Sequence, residues 1–145
     1  MESFKKGMEL AKAGQIHLQK QELNQAIEKT MEAVECFHGS EQKQFLGKAF
    51  RQLAEAYKLQ KNWVGCLAGY QESINWDVES NNIEGVIISQ LHVFRLLLQL
   101  GQFEKARKSL DDAENNLEQN PTLPKYQEFK KYIAGLKNEL KAKGV

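Results

Sequence analysis

A recurrence of small residues every 40 positions constrains the fold of this chain more than any other feature of its sequence. Ala26, Cys66 and Ala106 stand 40 residues apart, and a large apolar residue precedes each of them by three positions. A fixed period of this length is the signature of stacked structural units. The chain is therefore expected to build its core from three copies of one unit. The accompanying sets are Leu23, Trp63 and Phe103, and Ala33, Ser73 and Ala113.

Each unit has the pattern of a helical hairpin. Its apolar residues recur at positions i, i+3, i+4 and i+7, which is the spacing of one helical face. The helix before the small residue keeps the same 40-residue register, since Ala13, Leu53 and Val93 align. Pro121 and Pro124 are the only prolines, so no residue of this type interrupts a helix before them. The pattern predicts three antiparallel helix pairs joined by short polar turns.

A seventh helix is predicted after Pro124, with an apolar stripe and lysines near its end. Because the last unit of a repeat needs an element that covers its core, we expect this helix to act as a cap. The predicted fold is all-α: one domain over residues 1–145, with repeats at about 4–38, 44–78 and 83–119 and a capping helix at about 124–142. The stripe consists of Tyr126, Phe129, Ile133, Leu136 and Leu140.

This unit resembles the tetratricopeptide repeat, in which Leu, Gly and Tyr on a first helix are followed by Gly, Tyr, Ala, an aromatic residue and Ala across the turn and second helix. The first unit departs from that pattern, because His17 and Thr30 occupy its two aromatic positions. The resemblance covers about residues 7–119. The clearest matches are Leu53, Ala54, Tyr57, Trp63 and Tyr70, and Leu100, Gly101, Gln102, Phe103, Ala106 and Ala113.

The period of 40 residues exceeds the usual 34 of tetratricopeptide repeats. It is similar to the longer-repeat subclass found in kinesin light chains and in cell-polarity and bacterial signalling regulators. HEAT repeats also run near this length, but the Leu-Gly-Gln-Phe turn at residues 100–103 belongs to the tetratricopeptide pattern. The resemblance implies a right-handed α-solenoid that binds other proteins.

The composition argues against nucleic-acid and membrane partners. The 20 Lys and Arg nearly balance 19 Asp and Glu, for a net charge of +1, so there is no broad positive field to attract a polyanion. The most apolar stretch, residues 86–100, is too short to cross a bilayer. Cys36 and Cys66 form no zinc or redox motif, and the N-terminus lacks the apolar core of a signal peptide. A cytoplasmic location is expected.

No set of residues in the sequence predicts catalysis, a cofactor or a metal ion. His17, His38 and His92 fall on different predicted helices or joints, and His17 is interpreted as a packing residue because it aligns with Tyr57 and Leu97. Glycine-rich phosphate-binding motifs do not occur. The chain is therefore not expected to be an enzyme, nor to use a cofactor.

The resemblance implies that the inner face of each first helix lines a concave groove that binds a partner. The chaperone-type clamp for a C-terminal carboxylate is missing, since its positions here are Ala11, Gln15, Gln52, Ile88 and His92. In the first unit the lining is Met8, Ala11, Gln15 and Leu18. The predicted partner-binding residues of the other two units are Lys48, Arg51, Glu55, Lys58, Ile88, Leu91, Arg95 and Leu98.

Two functions remain open at this stage. The first is an adaptor or scaffold that binds a peptide or helical segment of another protein, with Arg51 and Arg95 suited to an acidic or amphipathic segment. The second is a structural subunit that forms a homodimer through the apolar helix at residues 86–100 or through the C-terminal helix. The apolar helix needs a cover on nearly every side, which the C-terminal helix, a second copy or a partner helix would supply.

Overall fold

A computed structural model describes residues 2–144, and 83% of these residues are helical. No strand occurs among these residues, so the all-α prediction is confirmed. A short 3₁₀ helix, which the sequence pattern did not predict, spans Lys43–Phe45 and leads directly into the third α-helix. The seven α-helices of the described residues are α1 (Glu2–Gln19), α2 (Leu23–His38), α3 (Leu46–Leu59), α4 (Trp63–Glu79), α5 (Ile83–Gln99), α6 (Phe103–Glu118) and α7 (Tyr126–Ala142).

Four of the joints between helices use one turn. In each of them, one residue shortly after the end of the helix has a positive φ. The values are 60° at Gln21, 61° at Lys61, 57° at Asn81 and 76° at Gly101. The next residue's N–H returns to a carbonyl five positions earlier, as from Asn62 to Tyr57 over 2.9 Å. This is the Schellman arrangement, which satisfies the last carbonyls of a helix and reverses the chain within three residues.

The chain divides into two compact units between Gly85 and Val86. In the first unit, α1 packs against α2, α2 against α3, and α3 against α4. The small residues of the repeat lie at these contacts, since Ala26 is 1% exposed and Cys66 is fully buried. They let neighbouring helices approach closely, as the sequence pattern predicted. The prediction of one domain over the whole chain stays a prediction.

In the second unit, α7 packs against α6. Ile133, Leu136 and Leu140 of its apolar stripe are buried, and Tyr126 and Phe129 are half-buried. Two polar contacts add to the packing of this unit. Lys137 Nζ lies 2.5 Å from Glu114 Oε2 of α6, and Asn116 of α6 donates to Gln90 Oε1 of α5 over 3.0 Å. The C-terminal helix therefore covers α6, as expected of a cap.

Candidate binding groove

An open groove runs between α1 and α3 in the first unit, with a volume of about 450 Å³. Part of its lining was predicted, because Met8, Ala11, Gln15 and Lys48 all contribute to it. We call it the α1–α3 groove. Its lining residues are Met8, Ala11, Lys12, Gln15, Phe37, Phe45, Lys48, Ala49 and Gln52.

The floor of the α1–α3 groove is aromatic. The rings of Phe37 and Phe45 stack with centroids 5.8 Å apart, and Phe4 lies beyond them, 5.1 Å from Phe45. Gly7 makes this possible, because a Cβ there would stand 2.8 Å from Cε1 of Phe37. The glycine thus lets the Phe37 ring lie directly against α1. The 3₁₀ helix carries Phe45 into the same cluster.

Gln52 fixes one wall of the groove by joining three helices. Its Nε2 donates to the Ala11 carbonyl of α1 over 3.0 Å and to Thr30 Oγ1 of α2 over 2.8 Å. A Cβ on Gly14 would come within 2.8 Å of the same nitrogen. Because both hydrogens of the amide are used, the Gln52 side chain is held in one orientation. The groove is therefore preformed at this wall.

The rim of the groove is exposed and basic. Lys12 of α1 and Lys48 of α3 are both exposed, as is Gln15. Met8 contributes an apolar side chain that is 42% exposed. Within the groove lining, no acidic residue offsets the two lysines. An apolar floor beneath two positive charges favours a ligand that presents apolar and acidic groups together.

Arg51 contacts the protein itself. Its Nη1 forms an ion pair with Asp77 Oδ2 at the end of α4 and donates to the Gly85 carbonyl over 3.3 Å. The Asp77 side chain is 1% exposed, and Asn82 Nδ2 donates to its other oxygen over 3.3 Å. A Cβ on either Gly47 or Gly85 would overlap this carboxylate. We call these residues the Asp77 centre.

The other predicted residues of the first unit lie apart from the α1–α3 groove lining. Glu55 is exposed and Lys58 is half-buried. Leu18, which was expected to line the groove, is instead 5% exposed and packs with Ala26 and Ala56 in the core. Of the four predicted partner-binding residues on α3, only Lys48 contributes to the groove.

In the second unit, Arg95 contacts α7. Its Nε donates to the Tyr132 hydroxyl over 2.6 Å, and its guanidinium carbon lies 5.5 Å from the centre of the Tyr132 ring. Leu91 is 6% exposed and belongs to the core, so it is not available at a surface. Ile88 and Leu98 are half-buried. The apolar helix at residues 86–100 is therefore largely covered within the chain.

Cys66 is buried, and His17 and His38 each contact a neighbouring side chain. Burial raises the pKa of the Cys66 thiol to about 11, against a smaller opposing effect of Lys58, so the thiol is protonated near neutral pH. His17 Nδ1 lies 3.0 Å from Glu22 Oε1, and His38 packs edge-on against Trp76. Among the described residues, no three His, Cys, Asp or Glu side chains form a cluster able to hold a metal ion.

No family model, curated protein or solved structure matches the chain. The tetratricopeptide resemblance thus rests on the residues of the repeat and stays a prediction. Across residues 2–144, none of the helices combines the length and apolar character needed to span a bilayer.

Sequence reasoning missed the aromatic floor and half of the basic rim. Phe37 and Phe45 were not placed in the groove because one ends a second helix and the other precedes a first helix, whereas the expected lining was confined to first helices. Lys12 lies on α1 one turn after Met8, at a spacing that places both on one face. That spacing was the available signal for Lys12.

Proposed function

We propose that this chain is a protein-interaction domain that binds an acidic, amphipathic segment of another protein in the α1–α3 groove, without chemical turnover. One observation carries the proposal: a preformed groove has an aromatic floor and a rim with two exposed lysines. The predicted adaptor function, the tetratricopeptide resemblance and a cytoplasmic location are parts of the same proposal. The 40-residue spacing between the starts of α2, α4 and α6 supports the resemblance.

The floor supplies the anchoring part of the proposed interaction. Bound segments depend on a few large side chains that fill apolar pockets and exclude water. The half-buried Phe45 and the exposed Met8 offer such a surface, above the buried Phe37 and Ala49. A Leu, Met or Phe residue of the ligand that binds on this floor would gain a binding free energy of about 25 cal/mol for each Å² of apolar area that it buries.

The rim supplies selection by charge. Lys12 and Lys48 are exposed on opposite sides of the groove, on α1 and α3. Exposed charge pairs add little affinity singly, but they accelerate association and reject a ligand of the wrong sign. The proposed segment therefore carries Asp or Glu on both sides of its apolar anchor.

A random peptide library displayed on phage tests this directly. We expect selection on the folded protein to enrich peptides in which acidic residues flank a large apolar residue. A synthetic peptide of the enriched sequence should lose at least about tenfold in affinity when Lys12 and Lys48 are both changed to Glu, a difference of about 1.4 kcal/mol. Fluorescence anisotropy at two salt concentrations gives the dissociation constants.

The matched control changes Lys20 and Lys105 to Glu, two exposed lysines outside the groove lining. This variant alters the net charge by the same amount and should bind the peptide with unchanged affinity. Equal losses in the two variants would show a response to net charge alone. Enrichment of basic peptides, or of none, would contradict the proposed groove.

A further inference from the structure

A second open surface lies along α7 in the second unit. It has a volume of about 520 Å³ and is lined by α7 residues between Glu128 and Glu139 together with Arg95 of α5. Tyr132 stands on it with 43% of its surface exposed. This face is separate from the buried stripe of Ile133, Leu136 and Leu140, although Leu136 borders both.

Gly135 lines the middle of the α7 segment on this face. Outside its own helix, no atom of residues 2–144 lies within 4 Å of the place where a Cβ would stand. Glycine in an exposed helix interior costs about 1 kcal/mol relative to alanine, and packing among the described residues gives no use for it. Gly7 and Gly47, by contrast, each accommodate a side chain of the protein. A close approach from another molecule would use Gly135.

The charges on either side of Gly135 have opposite signs and equal spacing. Lys131 precedes it by four residues and Glu139 follows it by four, and both are exposed and line the same surface. Eight residues of helix separate the two by about 12 Å. A second α7 that crosses antiparallel at Gly135 would place each Lys131 opposite the Glu139 of the other copy.

We infer that the chain forms a homodimer through this face of α7, with the two helices antiparallel and crossing at Gly135. A twofold interface uses the same patch on both copies, and this patch is complementary to itself in charge and has its smallest residue on the symmetry axis. A parallel pair would oppose Lys131 to Lys131. Of the two dimer surfaces that the sequence left open, α5 is largely buried within the chain.

The interface is small and polar at its edges, so dimerisation should depend on protein concentration and weaken as salt rises. Sedimentation velocity over a wide concentration range is expected to show a monomer–dimer equilibrium. Lys131→Glu and Glu139→Lys should each weaken the dimer by about tenfold, because two attractive pairs become repulsive. The double reversal K131E/E139K restores both pairs and should restore the dimer.

Gly135→Ala gives a readout that a purely structural glycine would not. It should raise the melting temperature of the monomer, since the helix gains a better helix former in open space, while it weakens the dimer by separating the helices. The matched control is Lys141→Glu, an exposed lysine on the same helix but away from this face. It should leave the dimer intact.

Two results would overturn the inference. One is a chain that stays monomeric at every concentration, which would leave the face to a different occupant. The other is a dimer that both single reversals leave unchanged, or that the double reversal does not restore. Neither result would bear on the α1–α3 groove, which lies in the first unit and shares no residue with this surface.

Discussion

The first and second helix pairs place different chemistry at the same positions of the repeat. Phe37 and Asp77 are 40 residues apart, and each faces a glycine of the preceding helix, Gly7 or Gly47. The residues beside them are also 40 apart and also differ in chemistry. Ala11 corresponds to Arg51, and Phe45 corresponds to Gly85. The first helix pair thus has an apolar cluster at the positions where the second helix pair has an ion pair.

This difference determines which pair has an open groove. In the first pair, the short Ala11 leaves the space above Phe37 and Phe45 open, and the α1–α3 groove results. In the second pair, the long side chain at the corresponding position, Arg51, extends to Asp77. The same backbone arrangement therefore accommodates either a binding surface or a closed polar centre.

The corresponding positions of the third pair are apolar again. Ile87, Leu91 and Leu117 stand where Gly47, Arg51 and Asp77 stand in the second pair, and all three are buried. The Asp77 centre is thus the exception within the repeat. Buried ion pairs contribute little net stability but are costly to break. Breaking the pair between Arg51 and Asp77 is therefore the best test of the difference between the helix pairs.

The largest expected effect is that of Arg51→Ala. It would leave the Asp77 carboxylate, 1% exposed, without its guanidinium partner, and such a loss costs about 3 to 5 kcal/mol. Urea denaturation followed by circular dichroism would measure the free energy of unfolding. At the corresponding position of the first pair, the wild-type residue is already Ala11, so the cost arises from Asp77 and not from the helix position.

The double variant Arg51→Met with Asp77→Leu provides the control. It replaces the ion pair by apolar side chains, as in the third pair, and such replacements are often neutral or stabilising. We expect it to recover most of the stability that Arg51→Ala loses. A double variant as unstable as Arg51→Ala would show that the second pair cannot accept the chemistry of the third.

Much of the fold could be predicted from the sequence, because helix position follows from local spacing. The apolar period and the polar joints located all seven α-helices, and the small residues at 26, 66 and 106 marked the close contacts. The 3₁₀ helix at Lys43–Phe45 was missed because three residues contain too little of a repeating pattern. Its Phe45 was missed as part of the groove because the expected lining was confined to the first helix of each pair.

The Asp77 centre was harder to predict, because it depends on residues far apart in sequence. Arg51 was expected to face a partner, as its helix position suggests, yet its contact lies 26 residues away. One signal was available. Phe37, Asp77 and Leu117 share one position of the 40-residue repeat, and Asp77 is the charged residue among them. A charge at an otherwise apolar position implies a buried partner.

A smaller effect is expected from the two glycines that face these groups. Gly47→Ala would push a methyl group into Asp77, which Arg51 and Asn82 hold in place, and should destabilise the fold by about 1 to 3 kcal/mol. Gly7→Ala meets the edge of the Phe37 ring at 2.8 Å. That ring is held by aromatic packing against Phe4 and Phe45 and not by an ion pair, so the variant should lose less.

Thermal and urea melts of both glycine variants would rank them. Gly135→Ala is the matched reference, because its Cβ would meet nothing within 4 Å outside its own helix among residues 2–144. At concentrations where the chain is monomeric, it shows the gain in helix propensity alone, about 1 kcal/mol. Equal losses at Gly7 and Gly47 would mean that the ionic centre is no more rigid than the aromatic cluster.

The smallest effect is expected where the two pairs are alike, at the turns between their helices. Gln21 and Lys61 occupy the same repeat position with φ of 60° and 61°, a conformation that costs a side chain about 1 kcal/mol or more and glycine almost nothing. Gln21→Gly and Lys61→Gly should therefore each stabilise the fold by about 0.5 kcal/mol, after subtracting the greater freedom of glycine in the unfolded chain. The gains should be equal, because neither turn touches the groups that distinguish the pairs. Gly101→Ala is the reverse substitution at the corresponding turn of the third helix pair, and it should destabilise the fold. Unequal gains at Gln21 and Lys61 in urea melts would show that the difference between the pairs extends to their turns.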